Sequence, residues 1–164
     1  MTKDFKGAVK EWEIARWATM ELIKQLGDEG LKMKLPRKGL DTFCKHFEEM
    51  IAVQESSVEA MISGTMSFDS CKSSDYDYEG LSTKEELLQK MKNLDERMVE
   101  VLSNKEIVAE VDWWGEPKTM IGQISWQIMH EAFHFGQLIA FCHVLDIKVP
   151  QEVVNAWAMS GFEE

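Results

Sequence analysis

The sequence is short of cysteine and of positive charge, and each shortage excludes a class of protein. Its three cysteines, Cys44, Cys71 and Cys142, are an odd number without C-x-x-C spacing. This argues against a disulfide framework and against a thiolate zinc site. The 18 basic residues against 29 acidic ones give a net charge of −11, which repels nucleic acid and anionic lipid. We therefore expect a cytoplasmic protein without a nucleic-acid partner.

Long apolar runs are also missing from the sequence. The first residues, MTKDFKGAVKEWEI, carry a charge every few positions, unlike a signal peptide or a membrane span, so no membrane partner is expected. What the sequence does contain is a 45% hydrophobic fraction with six Trp, eight Phe and eleven Met. A disordered chain lacks such side chains, and 164 residues are enough to bury one core. We predict a single domain over residues 1–164.

Four segments with apolar residues at helical spacing predict long amphipathic helices. They are residues 4–26 closed by Gly27, residues 40–62, a third helix from the Thr83/Glu86 capping box to about Asn104, and a fourth from Thr119 to about Leu145. Residues 64–80 form a long polar connection, residues 106–118 a hairpin-like excursion, and a short helix is expected after Pro150. The fold class is therefore all-α, a four-helix bundle with long crossover connections and a short C-terminal helix.

Three of the four histidines are candidates for one metal site. His130 and His134 are four residues apart and share a face of the fourth helix, whereas His143 falls on the far side. His46 lies on an apolar strip of the second helix and should point inward. A buried imidazole needs partners for both nitrogens, and one metal ion would serve all three rings. Packed histidines without a metal are the alternative.

The fourth helix also spells H-E-x-x-H, the motif of zinc peptidases, in which Glu131 would be a general base. A peptidase is disfavoured because the chain is small, mainly helical, and without the further ligand motifs of that class. Glu131 is left with two interpretations, a catalytic base or a solvated helix residue.

Glutamines and tryptophans near the histidines are weaker site candidates. Gln123, Gln127 and Gln137 share the histidine stripe, where they would line a cavity or hydrogen-bond a ligating imidazole, or else serve as packing amides. Trp113 and Trp114, just before the fourth helix, would wall a substrate pocket or, more commonly for a tryptophan pair, belong to the core or a dimer contact.

Carboxylate pairs and cysteines are assigned no site role. The acidic pairs 48–49, 85–86 and 163–164 are interpreted as solvated helix faces and a terminus, because a carboxylate di-metal site would need an inward E-x-x-H pair. On the helical wheel Cys44 lies about 160° from His46 and Cys142 about 80° from His134, so neither is well aimed at the ion and a cysteine nucleophile is not expected.

Two blocks resemble the DinB family of metal-binding four-helix bundles. SWQIMHEAFHFGQLIAFCHVLDIKVP is similar to the family's last long helix, whose H-x-x-x-H-x-x-Q is matched by His130, His134 and Gln137. DTFCKHFEEMIAVQESSVEAM matches the helix-two block, with His46 at the position of the third ligand. Helix order and loop placement extend the resemblance over nearly the whole chain. It implies one ion per subunit near one end of the bundle, often in a homodimer.

The resemblance leaves the ion and the chemistry open. Zinc or nickel is the first candidate, and iron, manganese or copper also suits such a site. Some DinB-like proteins resemble thiol transferases, which favours a transferase that uses a low-molecular-weight thiol on a small electrophile. A hydrolase that activates water is one alternative. A non-catalytic metal-binding, ligand-binding or stress-response protein is the other.

Overall fold

The computed structural model describes residues 3–104 and 107–159 of the chain. Within them lie five helices and one hairpin: α1 (Lys3–Leu31), α2 (Phe43–Ser63), α3 (Lys84–Ser103), β1 (Glu110–Trp113), β2 (Glu116–Thr119), α4 (Met120–Val144) and α5 (Gln151–Ala156). The four long helices form a bundle in which α1 and α2 each pack against both α3 and α4. The predicted all-α bundle with a short final helix is confirmed. α2 and α4, which carry the candidate histidines, are neighbours.

Threonine caps set where three of the long helices begin. Thr42 accepts a hydrogen bond from the Lys45 N–H, and Thr119 accepts one from the Gly122 N–H. Thr83 and Glu86 form the predicted capping box at the start of α3. These oxygens satisfy N–H groups that have no partner inside the helix. The predicted helix starts at Thr83 and Thr119 are thus confirmed.

Gly27 divides α1 into two helical runs. Its backbone has φ 59° and ψ −179°, outside the helical region and in one that favours glycine, so the first run ends there as predicted. A further helical turn follows the kink, over residues 28–31.

The core contains two large apolar clusters with a polar layer between them, and a third, small cluster of Leu40, Ala52 and Tyr78. One cluster is built around Leu22, Phe47, Met91 and Leu138, the other around Trp12, Met61, Met98 and Ile124. At the intermediate level of the helices, buried Arg16 donates to Gln54 Oε1 at 2.6 Å, and Gln54 donates to Asp95 Oδ1 at 2.7 Å. The hydrogen bonds of this layer link three helices.

A β-bridge attaches the connection after α2 to the hairpin. Thr65 pairs with Asp112 in parallel, while β1 and β2 pair antiparallel, so the predicted hairpin-like excursion is present. The connection is thereby placed beside the start of α4. No helix in residues 3–104 and 107–159 has the length and apolar content that a membrane span requires.

Candidate metal centre

Three potential ligands converge between α2 and α4. His130 and His134, one turn apart on α4, direct their Nε2 atoms at the carboxylate of Glu49 on α2. The Nε2 of His130 is 3.4 Å from Glu49 Oε1, and that of His134 is 3.1 Å from Glu49 Oε2. One ligand atom from each residue lies within 4.8 Å of the others. Two imidazoles and a carboxylate are a donor set for divalent transition metals, so this group could hold a metal ion.

The protonation of His134 fits a metal ligand better than an ion pair. Burial lowers its pKa to about 4, even though the nearby Glu49 carboxylate acts in the opposite direction. His134 is therefore neutral at neutral pH and offers a lone pair without competition from a second proton. In the part of the chain that the structure describes, Glu49 Oε2 is buried and has no hydrogen-bond partner beyond its 3.1 Å contact with His134 Nε2. A cation between the neutral His134 ring and the Glu49 carboxylate would accept a lone pair from each, so the residues present fit a divalent ion.

His46 lies next to this group. It is fully buried, as predicted, and its Nδ1 is 3.1 Å from Nδ1 of His134. Its Nε2 is 3.3 Å from Nη1 of Arg37, and burial, followed by the charge of Arg37, lowers its pKa to about 4. Because a ligating histidine commonly bonds a partner through its other ring nitrogen, His46 is well placed to orient His134. Its predicted role as a direct ligand stays a prediction.

The interpretation of Glu48 and Glu49 as a solvated pair was wrong. Glu49 faces the two histidines, and Glu48 accepts hydrogen bonds from the backbone of residues 80–82. The sequence did contain a signal for Glu49, since it is three positions after His46 and thus on nearly the same helix face. Glu85 and Glu86 are exposed, as expected, and residues 163–164 lie outside the described residues.

Glu131 is fully buried, so its interpretation as a solvated residue was also wrong. Its Oε1 is 3.2 Å from Nη1 of Arg16 in the polar layer. Burial raises the pKa of Glu131, and the charge of Arg16 opposes this shift. Together with Ala15 and Phe135, it lines a cavity of about 270 Å³ that is distinct from the one beside the histidines. The catalytic role of Glu131 stays a prediction.

The three glutamines have different surroundings. Gln123 accepts from Trp113 Nε1 at 2.8 Å and donates to Ser57 Oγ at 2.8 Å, as a packing amide does. Gln127 is fully buried, and its amide atoms have no hydrogen-bond partner within the described part of the chain. Gln137 accepts from Arg37 Nη1 at 3.4 Å, and the same Arg37 nitrogen is 3.3 Å from His46 Nε2.

A cavity of about 390 Å³ opens beside Glu49 and His130. Val53, Phe68 and Trp126 form its apolar side, and residues 72–75 of the connection after α2 form a polar side. Trp126 stacks on the His130 ring, with 5.5 Å between ring centroids and 22° between ring planes. This volume suits a small molecule, and the connection after α2 forms one side of the cavity.

The predicted tryptophan pair supports this cavity from the hairpin. Trp114 stacks on Phe68 at 5.9 Å, and Trp113 meets Trp126 edge-on at 4.8 Å. Lys118 Nζ lies 3.5 Å above the Trp113 ring. The pair therefore contacts the residues of the apolar wall.

The three cysteines are poor nucleophiles. Burial raises the pKa of Cys44 and of Cys142 to about 12, and Cys44 donates to the Ser82 carbonyl. Cys71 lines the cavity, but burial raises its pKa as well. Because the thiolate is the reactive form, none of the three is activated. His143 is exposed near the end of α4, away from the other histidines as predicted.

Comparison with known proteins finds a match at the level of structure only. No protein-family model and no curated protein matches the sequence. The crystal structure of a DinB-like protein from Bacillus cereus matches with a TM-score of 0.65 and 18% identity, covering 88% of this chain and 95% of that one. The chain thus has the fold of a DinB-like protein, as the resemblance in its two helix blocks predicted.

Proposed function

We propose that this chain is a cytoplasmic member of the DinB-like proteins that binds one divalent transition-metal ion through Glu49, His130 and His134. The observation that carries the proposal is the meeting of three ligand atoms within 4.8 Å at the wall of a cavity. Zinc and nickel remain the first candidates. The carboxylate also makes iron and manganese suitable, because two histidines and one carboxylate are a common set for Fe(II).

His46 would act as a positioning residue or as a fourth ligand. Its Nδ1 contact with His134 fixes the ring that carries the proposed ligand atom Nε2. Arg37 holds the other side of His46 and is itself held by Asp75 at 3.2 Å. Residues of two connections, 32–42 and 64–83, therefore support a site whose proposed ligands stand on helices.

We further propose that the site serves a transferase that joins a low-molecular-weight thiol to a small electrophile. A metal ion bound there would lower the pKa of a coordinated thiol or water. The thiol sulfur would form a bond to the electrophilic carbon, and the thiol proton and the displaced group would leave as HX. The chain's own cysteines have raised pKa values, which supports an external thiol as the nucleophile.

The walls of the cavity suit these substrates. Lys72 and Asp75 present one charge of each sign on the polar side, matching the carboxylate and amine that small thiols often carry. Phe68 and Trp126 offer an apolar surface to an electrophile. Hydrolysis has less support, because Glu131, the base that H-E-x-x-H requires, lines a different cavity and contacts Arg16.

Metal binding is the first test. Purified protein stripped with chelator and titrated with Zn²⁺, Ni²⁺ or Co²⁺ should bind about one ion per chain by calorimetry. Glu49→Gln and His130→Ala should each weaken binding at least 100-fold, because each removes one ligand. Glu55→Gln, at an exposed carboxylate of α2, and His143→Ala, at an exposed histidine of α4, are matched controls that should bind as the parent does. Full binding by Glu49→Gln would remove Glu49 from the ligand set.

The transferase is tested on the cobalt form. A small thiol should shift the visible absorption of the Co²⁺ protein with saturation, and mass spectrometry should detect the thioether once an electrophile is added. A spectrum unchanged by thiols would reject the transferase while leaving metal binding intact. A sensor would then be the better hypothesis.

A further inference from the structure

Arg37 connects the proposed metal centre with the polar side of the cavity beside it. Its Nη1 is 3.3 Å from His46 Nε2 and 3.4 Å from Gln137 Oε1, and its Nη2 is 3.2 Å from Asp75 Oδ2. His46 contacts the proposed ligand His134, and Asp75 lines the cavity. The Arg37 guanidinium is therefore separated from the proposed ion by two imidazole rings and from the cavity by one carboxylate.

The contact with Asp75 is the exposed side of this arrangement. The Asp75 side chain is 52% exposed and that of Arg37 is 25% exposed, whereas His46 on the other side is fully buried. Water competes for both charges of an exposed ion pair, so the pair adds little to stability. Asp75 also belongs to the connection between α2 and α3, outside the helices of the bundle. An anion from solution can therefore take the place of Asp75 while His46 and Gln137 keep Arg37 at the site.

Gly39 gives the Asp75 carboxylate a seat beside Arg37. Its φ is 81°, a conformation that favours glycine, and a Cβ built on it would be 2.7 Å from the Asp75 Cβ. A side chain at position 39 would thus push Asp75 away from Arg37. The connection between α1 and α2 leaves open, beside a guanidinium, a space that a carboxylate fills.

We infer that Arg37 determines the specificity of the site by binding a carboxylate of the substrate thiol in the place that Asp75 holds. The inference rests on the proposed transferase and narrows its thiol to an anionic one. The planar guanidinium can pair with a carboxylate through two parallel hydrogen bonds, which fix the orientation of the substrate as well as its position. The released Asp75 is then free to face an amine of the same substrate.

The charge of the chain makes a dedicated cation necessary for such a substrate. With a net charge of −11, the protein repels anions on average, so an anionic thiol binds only where a positive group is placed for it. Lys72 also lines the cavity, but it is exposed and carries its charge on a flexible stem. Arg37 is held by three partners, and one of them, the Asp75 carboxylate, is itself the kind of group that the substrate would supply.

Two thiols that differ only at their far end test the inference: mercaptohexanoate, with a carboxylate, and mercaptohexanol, with a hydroxyl. Each is titrated into the cobalt form of the full chain, and the visible absorption gives its dissociation constant. The readout is the ratio of the two constants, because damage to the metal centre weakens both thiols alike. The parent should bind mercaptohexanoate more tightly, and Arg37→Gln should reduce that preference about 10-fold, since it removes a charge-assisted hydrogen-bond pair. Asp75→Asn should increase the preference about fivefold, because it removes the competing carboxylate.

Asp69→Asn is the matched control for Asp75→Asn, because it removes the same charge from an exposed position of the same connection, and its preference should equal the parent's. Asp75→Asn leaves Arg37 and the histidines in place, so it tests the inference even if Arg37→Gln no longer binds metal. A preference that is the same in Asp75→Asn and Asp69→Asn, or that is lost in Lys72→Gln and kept in Arg37→Gln, would overturn the inference and leave the transferase intact. A cobalt spectrum that responds to neither thiol would reject the transferase, and the inference with it.

Discussion

Glu48 and Glu49 are adjacent on α2, yet they serve two different regions of the molecule. The Glu48 carboxylate accepts from the N–H groups of Gly80, Leu81 and Ser82 at 2.9–3.1 Å and from the Ser82 hydroxyl at 2.8 Å. The Glu49 carboxylate faces two imidazoles, and among the described residues its buried Oε2 has no hydrogen-bond partner beyond the contact with His134 Nε2. The Glu48 carboxylate is thus bonded within the chain, whereas the Glu49 carboxylate retains an acceptor that a bound cation would satisfy.

Glu48 and Glu49 differ in how many hydrogen bonds their carboxylates accept, and not in how deeply they are buried. Both carboxylates are partly buried, and about 100° of helix separates them. A satisfied acceptor stabilises the fold. An unsatisfied one costs stability, and a protein keeps it where a ligand repays that cost.

The largest effect that the comparison predicts in the metal-free protein is at Glu48. Glu48→Gln should lower the free energy of unfolding by roughly 2–3 kcal/mol, because it removes the charge from the hydrogen bonds to residues 80–82, just before α3, and turns an amide group toward N–H donors. Metal affinity should stay within about threefold of the parent's. Denaturant unfolding and calorimetric titration measure the two quantities.

Glu49→Gln is the control for that variant, and its metal-free stability should stay level or rise. Glu48→Gln should not weaken metal binding as strongly as Glu49→Gln does. If it did, Glu48 and Glu49 would not have the separate roles assigned to them here.

The contribution of the Glu48 carboxylate to the free energy of unfolding should be lost at acid pH. Burial alone would raise its pKa, but the hydrogen bonds from Gly80 and Ser82 outweigh burial and hold the pKa below the ordinary 4.5. Below pH 4.5 the unfolded chain binds a proton that the folded chain does not, so stability falls as the pH falls through the lowered pKa. The stability difference between the parent and Glu48→Gln should be constant from pH 6 to 8 and shrink below pH 4.5. A difference that does not change with pH would contradict the assigned hydrogen bonds.

Local signals in the sequence were enough to predict most of the fold. Apolar periodicity and the threonine caps gave the helices, because a cap and an amphipathic stripe act within one or two turns. The first helical run ends at Gly27 as predicted, but the further turn over residues 28–31, which brings Leu31 into the core, was not predicted. That further turn depends on tertiary packing.

The candidate site was predicted only in part. His130 and His134 lie together as predicted because their spacing is a property of one helix. Glu49 was missed, since the pairing of α2 with α4 decides which of two adjacent carboxylates faces the histidines. Glu131 was given a solvated alternative for the same reason, because its partner Arg16 is 115 positions earlier in the chain, on α1.

The smallest predicted effect lies at Thr42, which caps the helix that both regions share. Its side chain accepts from the Lys45 N–H, and Thr42→Ala should cost about 1 kcal/mol in unfolding free energy. Metal affinity should not change in Thr42→Ala, because Glu49 is two turns into α2 and lies beyond the turn that the cap stabilises. A matching loss of metal affinity would show that the first turn of α2, which carries His46, is part of the site. Thr42→Ser, which keeps the capping oxygen, should restore the parent's stability and thereby separate the lost cap from the lost packing.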